Sequence, residues 1–191
     1  MKKTVLVLAV IISLSAFKVV DTAKWSVDNA HTKASFTTTH LMISEVTGYF
    51  KQVTATVTTT KSDFEDASAE FTAQVGSIFT DNEQRDGHLK SPDFFDAAKY
   101  PVITFKSTSI KKADANNYTV KGDLTIHGIT KPVTLSAKAR VGENPMTKKT
   151  TAGFKITGQI KRADFGIGSS IPSMVVSEDV DLVVNAEFVK E

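Results

Sequence analysis

Three side chains able to hold an anion or exchange a proton fall within four positions: Arg85, Asp86 and His88. The aromatic pair Phe94-Phe95 follows within one short polar stretch, Thr80 to Asp96. A guanidinium can hold a phosphate or a carbonyl oxygen by charge-assisted hydrogen bonds. A carboxylate beside an imidazole can pass protons. The bland alternative is that Arg85 and Asp86 only fasten this segment to the rest of the fold, since buried polar groups must be paired with or without a ligand. Thr80 with Glu83 reads as a capping box and Ser91-Pro92 as a second helix start. The stretch is therefore predicted as a helical insertion over about residues 81–97, with one short helix and then a single helical turn.

The elements around it alternate with a period of two. His31–His40, Tyr49–Thr60, Ala67–Val75, Val102–Ile110, Tyr118–Ile126, Val133–Val141, Phe154–Ile160 and Val180–Phe188 each place apolar residues on one face and polar ones on the other. Val133, Leu135, Ala137, Ala139 and Val141 against Thr134, Ser136, Lys138 and Arg140 is the cleanest case. Short connections make neighbouring strands antiparallel. The predicted fold class is all-β, eight antiparallel strands in a closed barrel or a sandwich, with the helical insertion between the third and fourth. An eight-stranded barrel has a bore that side chains fill, or that holds one slender ligand.

The totals narrow the function. The 191 residues predict one domain. Met1 to Ala16 reads as a signal peptide: Lys2-Lys3, then the apolar run Thr4–Leu14, too short for a membrane span. Residues 17–23 read as a linker and 24–191 as the folded domain, which predicts a periplasmic protein. With Lys2 and Lys3 in the leader, the 23 basic residues fall to 21, equal to the 21 acidic ones. Such a balance gives no electrostatic basis for binding nucleic acid. Cysteine is absent, which excludes thiol catalysis, zinc–thiolate sites and a lipoprotein anchor. His31 and His40 stand about 30 Å apart on an extended strand, so they cannot share an ion, and no metal site is predicted. Gly166-Ile-Gly168-Ser-Ser-Ile171 lacks the setting of a dinucleotide fingerprint, and Ser169 and Ser170 lack that of a nucleophile.

Short motifs along the chain resemble the YceI-like family. They are Trp25-Ser-Val-Asp28-Asn-Ala-His31, His40-Leu-Met-Ile-Ser44 with Gly48-Tyr-Phe50, and Arg85-Asp86-Gly-His88-Leu89. Asp93-Phe-Phe-Asp96, Tyr100-Pro101, Thr104-Phe105, Gly122-Asp-Leu-Thr125-Ile-His-Gly128 and Arg162-Ala-Asp164-Phe165-Gly166 continue the match. Each motif alone is weak; their order and spacing carry the resemblance over roughly Lys24 to Glu191. Ala30 departs from it, standing where many relatives have another small or polar residue.

The resemblance implies an extended lipocalin-like barrel that binds a polyisoprenoid lipid, such as an isoprenoid quinone or a prenyl alcohol or phosphate. It implies binding rather than catalysis, and no cofactor beyond the lipid. Arg85, Asp86, His88, His31 and His40 are then the candidate head-group contacts. The apolar lining is expected from Phe36, Leu41, Met42, Ile43, Phe50, Phe79, Leu89, Phe94, Phe95, Phe105, Phe165, Ile167, Ile171 and Met174. Expected partners are the isoprenoid lipid itself and transient contact with a membrane or a lipid-processing protein. A homodimer through an exposed edge at Val176–Phe188 is left open. A lipid- or quinone-modifying enzyme using Arg85, Asp86 and His88, and a packed barrel acting as a stress or interaction module, are the alternatives.

Overall fold

A computed structural model describes residues 21–191; the signal-peptide reading of residues 1–16 and most of the linker lie outside the described residues. Ten strands run antiparallel: β1 (Ala23–His40), β2 (Ser44–Phe50), β3 (Val53–Thr59), β4 (Ser68–Gln74), β5 (Ile78–Phe79), β6 (Val102–Lys112), β7 (Asn117–Ile126), β8 (Ile129–Glu143), β9 (Thr150–Lys161) and β10 (Val176–Lys190). Their order is β10-β9-β8-β7-β6-β4-β3-β1-β2-β5, and β10 also pairs with β1. Eight strands therefore close a barrel, and β2 with β5 extends it at one end. The expected barrel is present, with two more strands than the alternation predicted.

One extra strand is the two-residue β5, paired with β2; the other comes from a break in a predicted run. The run Tyr49–Thr60 breaks at Lys51-Gln52 into β2 and β3, which pair with the two halves of β1. β1 begins at Ala23, eight residues before the predicted start, because Trp25 packs inward against Val57 and Phe64. Between Asp28 and Lys33 it bulges against β10, where Glu187 and Asn185 are the opposed residues. A bulge breaks strict alternation, so the earlier half of the strand reads as loop.

The insertion carries one helix, α1 (Glu83–Lys90). Its N-cap is Asn82, whose side chain accepts from the Arg85 N–H at 2.9 Å, rather than Thr80. The Ser91-Pro92 start gives turns, not a second helical segment. β10 offers no free edge, being paired to β9 on one side and β1 on the other. The edge-to-edge dimer through Val176–Phe188 is thus corrected: its ladder groups already have partners.

Inward positions form two apolar clusters along the bore. One gathers Trp25, Phe64, Tyr118, Phe154 and Phe188. The other gathers Ala34, Phe94, Ile126, Phe165 and Ile167 beside α1. The first end is stoppered by rings in edge or tilted contact: Trp25–Phe64 at 5.2 Å, Phe64–Phe154 at 5.2 Å and Phe154–Phe188 at 5.6 Å. The α1 end is closed by non-strand segments.

Candidate ligand-binding site

Between the two clusters the barrel is hollow. A cavity of about 260 Å³ is lined almost wholly by carbon and touches residues of both clusters. On β7 it is lined from Tyr118 to Ile126, which at ~3.3 Å per residue and a barrel tilt near 40° spans about 20 Å along the axis. A volume of that size drawn out over that length is a slot one hydrocarbon chain wide.

Alanine makes the slot. Ala34, Ala55, Ala67, Ala69, Ala73, Ala137 and Ala186 all line it. Strand interiors ordinarily favour β-branched and aromatic residues, and larger side chains at these positions would fill the bore. Leu135, on β8, lines the slot as well, and its Cδ2 takes the space that a Cβ on Gly158 of β9 would need, 2.4 Å away. The backbone of β9 thus leaves room for the wall residue beside it.

Of the apolar residues expected from sequence, Phe36, Phe50, Leu89, Phe94, Phe95, Phe105 and Ile167 line the cavity. Phe165 and Ile171 pack in the core cluster beneath the α1 end, outside the lining. Phe79 lies on β5, edge-on to Tyr49 at 5.5 Å with Lys51 Nζ over its ring at 3.5 Å. Leu41, Met42, Ile43 and Met174 are corrected outright: they are 48, 73, 85 and 59% exposed. A run of three apolar residues reads as buried, but the β1–β2 connection places it on a turn tip.

The polar candidates do not meet the cavity. The Arg85 guanidinium donates to Thr80 Oγ1 at 2.8 Å and to the Thr80 carbonyl at 2.5 Å. Buried Asp86 accepts from the Thr80 N–H at 2.8 Å and its hydroxyl at 2.6 Å. Both residues fasten α1 to the chain before it. His88 faces solvent, with Nε2 3.5 Å from Asp93 and its ring edge-on to Phe94. His40 ends β1 opposite Val176, outside the lining.

His31 sits on the outer surface at the β1 bulge. Its Nδ1 lies 2.9 Å from Asp28 Oδ2 and 4.0 Å from Glu187 Oε2. The hydrogen bond from His31, with one from the Ala30 N–H, holds the Asp28 carboxyl below the usual range; that same bond and the nearby carboxylates raise His31. One ligand atom each from Asp28, His31 and Glu187 lies within 4.8 Å of the others. A reading that counted histidines alone did not foresee this mixed cluster.

Thr32, Ser35, Thr38 and Glu70 also border the cavity, and among its polar neighbours Arg162 is the buried cation, 4% exposed. It sits on a short 3-10 turn after β9 and donates to five backbone carbonyls. Nη1 reaches Ile167 and Gly168 at 3.2 and 2.6 Å, Nη2 reaches Ile171 and Val176 at 2.7 and 3.1 Å, and Nε reaches Ser177 at 3.1 Å. Glu178 Oε1 accepts a further bond at 2.9 Å. The guanidinium thereby holds together the irregular segment that closes the α1 end. Sequence reasoning quoted Arg162 within a motif but gave it no role; the signal that could have found it is an arginine at the entry of an irregular loop that turns on Gly166 and Gly168.

No helix among the described residues is long and apolar enough to cross a membrane. The model of the YceI-like domain matches residues 25–188. Protein YceI of Escherichia coli O17:K52:H18 is 38% identical over 165 residues, 86% of this chain and 84% of that protein. The crystal structure of Burkholderia cenocepacia BcnA superposes with a TM-score of 0.75 at 29% identity, covering 84% of this chain and 98% of the other. A polyisoprenoid binding domain from Saccharophagus degradans shares the fold at a TM-score of 0.64 and 16% identity, covering 87% of this chain and 98% of that one. With its barrel, motifs and near full-length match to the family model, the chain belongs to the YceI-like family.

Proposed function

We propose that the barrel binds one polyisoprenoid lipid lengthwise in its bore and carries or stores it in the periplasm. The observation that carries this reading is the slot: carbon-lined, one chain wide, running most of the barrel, and kept open by alanines at inward positions. Burial of a polyprenyl chain contributes about 25 cal/mol per Å² of apolar surface removed from water, less the cost of ordering it. The ring stopper at the Trp25 end favours a chain whose tail points there and whose head group lies at the α1 end. The polyisoprenoid-binding domain of the same fold supports the ligand class, and the leader-like residues 1–16 support the compartment.

Arg162 has no spare N–H for a head group, because every donor is engaged by the closing segment. Its charge is balanced by the Glu178 carboxylate at 2.9 Å. Head-group selection therefore rests on the shape and backbone of the closing segment that Arg162 holds, rather than on Arg85, Asp86 or His88.

Native mass spectrometry of protein taken from the periplasm, followed by organic extraction, tests this. One polyprenyl species per barrel is expected. Protein that is clean of lipid and takes up neither added quinone nor prenyl phosphate would overturn it.

A further inference from the structure

The β1–β2 turn bears two costs that nothing among the described residues offsets. Leu41, Met42 and Ile43 form a three-residue tip between His40 and Ser44, with about half of Leu41 and most of Met42 and Ile43 in water. The backbone is left-handed at Leu41 (φ 52°) and Met42 (φ 57°). Such turn positions usually carry glycine, asparagine or aspartate, and a left-handed conformation costs other L-residues about 1–2 kcal/mol each. Local turn chemistry and solvation both argue against a Leu-Met-Ile sequence here. A conflict of this kind at one place points to function.

The tip does not stand alone. Leu41 N–H donates to the Val175 carbonyl at 2.9 Å, which brings exposed Met174 beside it. Four large apolar side chains thus gather at the α1 end. Thr38 and Val176, just below the tip, line the cavity. Beneath the turn the strands become polar at once, with Thr37 hydroxyl-bonded to Thr47, and with Thr39 paired to Glu45. The apolar depth is therefore one turn. Among the described residues two cations of this end are already engaged: Lys161 is paired with Asp179 at 2.9 Å, and Arg162 is buried on Glu178.

We propose that this tip docks the barrel on a lipid bilayer, inserting Met42 and Ile43 at the boundary between head groups and acyl chains, with Leu41 and Met174 at its rim. A convex, shallow, uncharged apolar tip suits a fluid apolar layer; an isologous dimer contact would need a self-complementary face. Binding of this kind draws on buried apolar area and needs anionic lipid only where a basic face supplies attraction. The proposal rests on the lipid-carrying reading for its purpose: docking here turns the closable end of the slot toward the membrane that holds the ligand.

The test uses the chain from residue 17, which contains the whole closed barrel, in flotation with uncharged phosphatidylcholine vesicles. The comparison is the double variant Met42→Asn, Ile43→Thr. Asparagine tolerates a left-handed backbone and threonine keeps the β-branch, so the turn is retained; an unchanged melting temperature checks this. The wild-type chain is expected to float with vesicles equally at about 50 and about 500 mM salt. The variant should partition at least about tenfold less. Uptake of a prenyl alcohol supplied in detergent should be equal in the two. Absent flotation of the wild type, equal flotation of the variant, or a wild-type dimer that the variant abolishes would each overturn the proposal. Failure of uptake from detergent with tip-dependent flotation intact would remove the cargo reading and leave the docking surface standing.

Discussion

Arg162 does the work of a cross-link. Its donors converge on carbonyls of residues 167–177 and on Glu178. Removing it leaves those acceptors, and a half-buried carboxylate, without their cation. Loss of one partner of a buried charged pair costs about 3–5 kcal/mol, and the partial exposure of Glu178 puts this pair at the lower end. Arg162→Met should therefore lower the urea midpoint by that equivalent and speed amide exchange selectively in the closing segment. Arg162→Lys should recover only part, since an ammonium has three donors and no planar fork. Equal stability of Arg162→Met and wild type would deny the latch. This role was not legible from side-chain types, because the acceptors are backbone carbonyls whose convergence depends on loop geometry. Arg85 and Asp86 were legible as polar and important, but not as a local fastening on Thr80.

At the scale of elements, period-two alternation revealed most staves of the barrel, and failed where a strand bends or turns. The β1 bulge hid the Trp25 half of the strand. It turns His31 outward onto Asp28 and Glu187, tying β1 to β10 across the closing seam. His31 is raised above its unfolded value, so its contribution is complete below about pH 6.5 and is lost as pH rises through the higher folded pKa. Asp28 is depressed, so its contribution persists above its unfolded value near 4 and is lost as pH falls through the lower folded one. The melting temperature should decline modestly from pH 6 to about pH 8. His31→Gln should flatten that slope and also weaken the acid limb, because the His31 hydrogen bond is the largest cause of the Asp28 depression. An identical slope in the variant would place the titration elsewhere. Exposure of the pair keeps the effect small and screened by salt.

At the scale of the whole molecule, hollowness opposes stability, and the two can be exchanged by substitution. Unfilled cavity costs about 24 cal/mol per Å³, so a bore of about 260 Å³ forgoes up to roughly 6 kcal/mol relative to a filled barrel. The alanines that open it were visible in the sequence as part of an alternating pattern. Their meaning was not, since small and large inward residues satisfy alternation equally. Ala137 and Ala186 lie inward on β8 and β10, both on the slot. Ala137→Leu with Ala186→Leu should place six carbons where the ligand's chain would lie. If the slot is spare volume, the ligand-free double variant gains about 0.5–2 kcal/mol, read as a melting temperature higher by a few degrees in a chain of this size. Lipid uptake should fall below detection in the same protein. A functional cavity predicts these opposite changes together, because one volume serves both. A variant that loses stability and lipid together has only been overpacked, and one that gains stability yet still binds a full-length chain would move the ligand out of the bore.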